Sequence, residues 1–494
     1  MNILSNSKVN FNELEEKTFK DVMKLGREII QDELKMLDNL IKKYRDKEIF
    51  EVKDIQPTTI KTRLGEVLIS RRRYKMQVNN QTKYVYLLDE LMQMNEFGQY
   101  SQSIVEMISR EIIKKSYRET AKTISEDTEN TITHTAVRNI VIKLGKKIKD
   151  FEEEKIKLYE DGKIEGDKEA KYIFCEHDGI YVKKQSNKKN NKKCRKNYGK
   201  GKKRKNGIEL KIAVIHEGKE KRYTNDYKLK NKTIVGTASK AEKLKQIEDM
   251  TIGTKYKEYK IKNVIINGDG ADWTGTIVEG EKEIFQLDMS HIQKKIYTAV
   301  KDLEYLKQMQ QIVKTEKARD IFSLIYNYKV ELETDKKAKE LEDVEALEKY
   351  LRSNEKGLQR YQYKLGYKET DLKEQIEDLP TLGSEESHMY CVCRDRMKKN
   401  RTSWSVYGAE AILKVIMNKM NGTLQSIISK KAEEKIKKEL SERIPEPQKV
   451  KKIKTSYLPY AGKYQIAENF TETAKQYVKD LLRDKKATEI MLIN

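Results

Sequence analysis

A chain of 494 residues, 37% of them apolar, is long enough for two to four domains with separate cores and too apolar to be disordered. Its 102 Lys and Arg against 79 Asp and Glu leave a formal charge of +23, which points to a polyanionic partner, nucleic acid before an anionic membrane surface. No stretch approaches the roughly 18 apolar residues of a membrane span, the N-terminus lacks an apolar signal core, and four cysteines are too few for a disulfide framework. The expectation is a soluble, cytoplasmic protein. A bias toward Lys, Glu and Ile would raise both signs of charge together, so it does not account for the excess.

Residues 1–50 are read as an N-terminal amphipathic helix, with Val22, Leu25, Ile29, Met36, Leu40 and Tyr44 forming one packing or pairing stripe. Residues 51–95 form a small β-rich segment: Thr58 to Leu64 and Val67 to Tyr74 flank a turn at Gly65, and Lys83 to Leu88 follows Asn79-Asn80. Arg71, Arg72 and Arg73 within it either contact phosphates or make a solvated strand face. Residues 96–165 read as a helical region spaced for a helix-turn-helix, one helix opening at Ser116 and another at Thr133, before a charged helix from Asp150 to Lys163. In that motif the second helix sets its N-terminal side chains on base edges, which nominates Thr133, His134, Thr135 and Arg138. Many helical pairs have this spacing without touching DNA.

Residues 166–300 change character. The strand from Tyr172 to Val182 and the strand from Glu209 to His216 enclose a connection with thirteen Lys or Arg from Lys183 to Lys205 and no acid, including Lys202, Lys203, Arg204 and Lys205. Such a tract buries nothing and attracts phosphates. A third strand is expected around Arg222 to Lys228, then a helix over Ala238 to Glu248. The β-branched run Val264-Ile265-Ile266 then ends in Asn267-Gly268-Asp269-Gly270, giving the order β, β, β, α, β. Residues 301–380 are striped and charged, an all-α insertion. Residues 381–430 return to a less charged segment in which Gly383 to Ser387 opens a helix with Arg394, Arg396 and Met397, and residues 431–494 are a basic tail. His388, Cys391 and Cys393 form only a weak zinc signal, a C-x-C without a second Cys pair.

Three acids stand out: Asp178 within the first strand, Asp269 at the end of a central strand, and Glu386 at the start of a helix beyond the insertion. Taken singly, each is a surface, turn or capping carboxylate. Taken together in this frame, on a positive chain, they suit phosphodiester chemistry with two divalent ions, Mg²⁺ or Mn²⁺, held about 4 Å apart by hard oxygen ligands.

The ordered series RRRY, YLLDE, SYRETA, EHDGIYV, INGDGADW, FQLDMSH, GSEESH and RMKKNRTSW resembles the bacterial insertion-sequence transposases of the ISLre type, a group also known as an uncharacterised UPF protein family. The resemblance runs from about residue 55 to 430. It implies an α/β fold with a ribonuclease-H-like catalytic domain carrying an all-α insertion, preceded by a helical and β DNA-binding region. It also implies the acidic triad Asp178, Asp269 and Glu386, a D-x-x-H element at Asp288 and His291, and Trp404 in the helix after the Glu. Glu385 competes with Glu386, and the offset to His388 and Arg396 favours the second. The expected function is divalent-metal-dependent strand cleavage and transfer at the ends of the element, by a homodimer or higher oligomer on double-stranded DNA. The rivals are a structure-selective nuclease of the same fold and a non-catalytic basic nucleic-acid-binding protein.

Overall fold

In a computed structural model the described part of the chain divides into two compact units, one ending at Ile140 and one beginning at Val141. The structure describes residues 10–78, 81–94, 96–185, 207–223, 226–271, 273–274, 280–372, 379–383, 393–398, 402–429, 431 and 434. Among these, no helix is long and apolar enough to cross a membrane.

The N-terminal unit opens with helix α1 (Phe11–Tyr44), capped by Asn10, whose Oδ1 accepts the Asn12 N–H at 3.1 Å. It packs on an antiparallel meander of β1 (Glu51–Thr62), β2 (Gly65–Val78) and β3 (Gln81–Val85), ordered β1-β2-β3. The face of α1 that seals this core is Leu34, Leu37 and Ile41, with Ile30 packed beside them. Of the stripe expected from spacing, Leu40 and Tyr44 pack against this core, whereas Val22, Leu25, Ile29 and Met36 are exposed on a second face. A helix with apolar residues on two faces does not say which one its partner takes, and here the buried Asp38 selects the face by pairing with Arg72 of β2. The Gly65 turn lies as expected, with φ +104°, and a bulge between Val52 and Asp54 shifts the phase of inward residues on β2 from Arg71 to Tyr74.

Three helices follow a single turn α2 (Leu87–Met92): α3 (Gln102–Glu111), α4 (Tyr117–Thr128) and α5 (His134–Glu160). Ser116 and Glu119 form a reciprocal capping box on α4. The expected charged helix after Asp150 is not separate. It continues α5, because no Gly or Pro interrupts the buried series Val137, Val141, Leu144, Ile148 and Ile156 except Gly145, where α5 needs room. A Cβ on Gly145 would lie 2.5 Å from Ala411 Cα.

The second unit is built on a five-stranded mixed sheet in the order β10-β9-β4-β5-β8, with β4 (Tyr172–Lys183), β5 (Gly207–His216), β8 (Thr233–Thr237), β9 (Asn263–Gly268) and β10 (Glu283–Leu287). β4, β5 and β8 are antiparallel neighbours, whereas β9 and β10 run parallel to β4. The third strand is therefore Thr233–Thr237 and not the segment around Arg222 to Lys228. That segment belongs to a separate two-stranded ribbon, β6 (Lys219–Tyr223) with β7 (Asp226–Leu229). The ribbon carries Lys219, Lys221 and Lys228, charges that a central strand would have to bury, while β8 supplies the buried pair Ile234 and Val235.

Helix α6 (Ala241–Gly253) covers one sheet face with Leu244, Ile247 and Met250 over Ile173, Cys175, Ala213 and Ile215. After β10 come α7 (Met289–Ala299) and the helices α8 (Leu303–Ile312), α9 (Ile321–Thr334) and α10 (Ala338–Ser353), the helical segment expected from its stripes. Their core joins Ile292 and Ile296 of α7 to Ile321, Ile325, Val344, Leu347 and Leu351. Helix α11 (Val406–Met420) returns to pack across β8 and β5, and α12 (Leu424–Ile428) follows.

Candidate functional site: a carboxylate edge on the mixed sheet

Three adjacent parallel strands bring three aspartates level. Glu176 of β4 pairs with Asn267 of β9, and two residues further along each strand stand Asp178 and Asp269. Leu287 of β10 pairs with Gly268, and one residue further along each stand Asp288 and Asp269. With strands about 4.8 Å apart, register alone gathers the acids at one sheet edge, beyond the C-terminal ends of β9 and β10.

The three carboxylates differ in how they are held. Asp288 is buried and its lone pairs are filled. Its Oδ1 accepts from Ser290 Oγ at 2.5 Å, His291 N at 3.0 Å and His291 Nδ1 at 3.0 Å, and its Oδ2 accepts from Asn267 Nδ2 at 3.0 Å. Burial opposes its charge, but these bonds outweigh burial and hold its pKa down at about 2. It is also the N-cap of α7, a favourable place for an anion. A buried amide series stands behind it: Gln286 Oε1 accepts from Tyr361 N at 2.9 Å, and Gln286 Nε2 donates to Asn267 Oδ1 at 3.2 Å.

Asp178 has the opposite balance. Burial pushes its pKa up, the Gly179 N–H at 2.7 Å and the nearby His291 relieve this only partly, and the charges of Asp269 and Asp288 push it further in the same direction. Asp269 accepts from the Ala271 N–H at 2.9 Å and turns the chain at Gly270, φ +76°. Neither Asp178 nor Asp269 makes an ion pair among the described residues. Two lightly bonded carboxylates beside a third, with oxygen as the only donor atom, fit a hard divalent cation, which would reverse the repulsion that raises Asp178. Asp288, already saturated, fits a different task, fixing the His291 ring through Nδ1. Among the described residues no group of three or more His, Cys, Asp or Glu closes around a point as a metal site on its own.

The chain beyond the insertion is stitched to this edge. Tyr361 Oη donates to Pro380 O at 2.7 Å and Lys219 Nζ to Thr381 O at 2.8 Å. Gly383 N donates to Glu176 Oε2 at 3.1 Å, while Glu176 Oε1 meets His216 Nε2 at 3.2 Å. A Cβ on Gly383 would lie 2.4 Å from Asp288 Oδ2, and φ there is +89°, so only glycine allows this approach. Glu385 and Glu386 follow two and three residues later and lie outside the described residues, as do His388, Cys391 and the loop lysines and arginine Lys202, Lys203, Arg204 and Lys205. Cys393 is described and buried, and burial pushes its thiol up to about 12.

Trp404 does not sit in a helix. Its N–H donates to Lys183 O and its carbonyl accepts from Gln185 N, both at 2.8 Å, a bridge alongside the end of β4, and Ser405 then caps α11. The large ring excludes the helix start because it is buried against the Met397 turn, where Nε1 donates to Met397 O at 2.9 Å under the Arg396 guanidinium. On the far face of β4, His177 stacks on Trp273 at 5.7 Å. Its Nε2 lies 2.8 Å from Glu248 Oε1 at ion-pair distance, without the alignment of a hydrogen bond.

In the N-terminal unit, Arg71 pairs with Asp89 at 2.7 Å, Arg72 with Asp38 at 2.5 Å and Arg73 with Asp54 at 2.5 Å. Thr133, His134, Thr135 and Arg138 are all exposed at the start of α5, where Thr133 Oγ1 accepts the Ala136 N–H at 3.2 Å. Sequence reasoning missed Glu176, His216 and Tyr350. The first had a signal, since Glu176 lies two strand positions before Asp178 and so shares its face.

The second unit is thus a mixed α/β domain with carboxylates gathered at one sheet edge. A model of the uncharacterised protein family UPF0236 matches residues 4–435, and the chain belongs to that family. It is similar to a UPF0236 protein of Caldanaerobacter subterraneus subsp. tengcongensis, 25% identical over 418 residues, covering 82% of this chain and 77% of the relative. A second UPF0236 protein of that organism is 24% identical over 441 residues, covering 86% and 81%. The name of the first joins eleven loci and that of the second four.

Proposed function

We propose that this chain is a DDE-type transposase of an insertion sequence, binding the ends of its element and carrying out divalent-metal-dependent strand cleavage and strand transfer. The observation that carries the reading is the register that sets Asp178 and Asp269 level on β4 and β9 with little to neutralise them. The sheet, three antiparallel strands followed by two parallel ones on the other side of β4, is the arrangement expected of a ribonuclease-H-like domain. One relative's name joins eleven loci of a single genome, and repeated loci are what an element that moves or copies itself leaves behind.

In this reading Asp178 and Asp269 hold the metals, Glu386 completes the site, and Asp288 orients His291 beside it. When bound, two Mg²⁺ or Mn²⁺ ions activate the attacking oxygen and stabilise the leaving one. Thr133, His134, Thr135 and Arg138 read base edges at the ends of the element from the exposed N-terminus of α5. The protein acts in the cytoplasm as a dimer or higher oligomer on DNA, because two ends must be handled together.

The test is incubation of the full-length protein with Mg²⁺ and DNA bearing the element's ends. Wild type should nick and join, and Asp269→Asn should reduce both to background while retaining the fold and DNA affinity, since the amide keeps shape and loses the charge. Undiminished cleavage by Asp269→Asn would sink the assignment. Cleavage without joining would favour a nuclease, and neither activity a non-catalytic binding protein.

A further inference from the structure

We infer that Tyr350, on the last long helix of the insertion, is a positioning residue for Asp269, holding its backbone so that the Asp269 carboxylate is preset beside Asp178 for a divalent ion. This rests on the reading of those two aspartates as metal ligands. The β-ladder ends one residue too early to fix Asp269 itself, because Gly268 O takes the Asp288 N–H at 2.7 Å and is the last carbonyl of β9 bonded to the neighbouring chain. The next carbonyl, Asp269 O, accepts instead from Tyr350 Oη at 2.8 Å, across 81 residues of sequence. The Asp269 carboxylate is tied to its own turn through the Ala271 N–H, so whatever fixes the turn fixes the carboxylate.

Tyr350 is itself held rigidly. Its neighbours Leu347 and Leu351 are buried in the core shared with Ile292 and Ile296 of α7. Lys295 of α7 places its ammonium 4.1 Å from the Tyr350 ring centroid. Asn354 Nδ2 donates to Tyr350 O at 3.0 Å, and a Cβ on Gly270 would meet that same Asn354 amide at 3.0 Å, so the end of α10 and the Asp269 turn touch directly. A helical insertion between the second and third acids would need no such contact if it only carried surface.

The test measures Mn²⁺ binding to full-length protein by the loss of the free-ion electron paramagnetic resonance signal, which does not depend on turnover. Tyr350→Phe keeps the ring, its packing and the Lys295 contact and removes only the hydroxyl. It should weaken Mn²⁺ binding by about tenfold, as outer-shell partners of metal ligands commonly do, with Tm close to wild type. Tyr305→Phe removes another hydroxyl of the insertion, one that donates to Glu331 Oε1 at 2.6 Å, and should bind Mn²⁺ like wild type. Wild-type affinity in Tyr350→Phe, or an equal loss in Tyr305→Phe, overturns the inference while the ligand assignment stands. Undiminished binding by Asp269→Asn overturns the ligand assignment and the inference with it.

Discussion

Two charge clusters, Arg71 to Arg73 on β2 and the aspartates at the edge of the mixed sheet, look equally functional as text and are built in opposite ways. Each arginine has a carboxylate of its own, Asp89, Asp38 and Asp54, so the cluster is neutralised within its unit. At the sheet edge the acids face one another, and among the described residues Asp178 and Asp269 are left without ion pairs while Asp288 alone is saturated. A cluster neutralised internally supports a fold. One left repelling is held in place by the rest of the fold and is available to an external counter-charge.

The largest effect should come from breaking the neutralised cluster. Asp38 is buried enough that its pKa is raised by burial even though Arg72 bonds it through backbone and side chain. Arg72→Ala leaves that carboxylate inside without a partner and should cost about 3 kcal/mol of stability in urea unfolding. The double variant Asp38→Leu with Arg72→Met should recover most of the loss, since a buried pair is often replaceable by apolar packing. A double variant no more stable than Arg72→Ala would show that the pair does more than neutralise itself.

Next in size is Asp288. A carboxylate held at about 2, against an ordinary 3.8, contributes stability present above the ordinary value and lost as pH falls from about 4 to about 2. Asp288→Asn should therefore be less stable than wild type by about 2 kcal/mol at neutral pH, and the two should converge near pH 2. A constant gap across that range would mean that the cost is packing and not charge.

The smallest effect has the opposite sign. A raised acid is unfavourable in its ionised form, so Asp178→Asn should raise Tm in chelator. Added Mg²⁺ should then raise the Tm of wild type and leave that of the variant unchanged, because only a ligand that binds the native site stabilises it. A lower Tm for Asp178→Asn in chelator would place Asp178 with the supporting residues.

Much of this was legible in the sequence, and the reason differs from place to place. β4, β5 and the run into Asp269 announce themselves by continuous β-branched and aromatic residues, and α4 by Ser116 and Glu119 three apart. β10 is only five residues, and the buried Gln286 interrupts its apolar Ile284, Phe285 and Leu287, so neither alternation nor an unbroken apolar run marks it, although it supplies the register that places Asp288. The packing face of α1 depends on a partner for Asp38 that lies 34 residues away, and no local pattern encodes that choice. The roles of Glu176 and Tyr350 rest on contacts 207 and 81 residues long. Side-chain type suggested the acids, but only the folded chain shows which of them are already satisfied.

Those long separations have a consequence for synthesis. Lys414 of α11 is almost wholly buried against Glu152 of α5, 262 residues earlier, and Met417 rests where a Cβ on Gly236 of β8 would be. At 5 to 20 residues per second, α11 leaves the ribosome on the order of 10 to 40 s after β5. For that interval one face of the sheet lacks α11, and for most of it the Glu176 carboxylate lacks the Gly383 N–H that donates to it. A chain cut short before Val406 therefore leaves that face of the sheet open and prone to aggregation, although the strands whose register gathers the aspartates, β4, β9 and β10, are already in place.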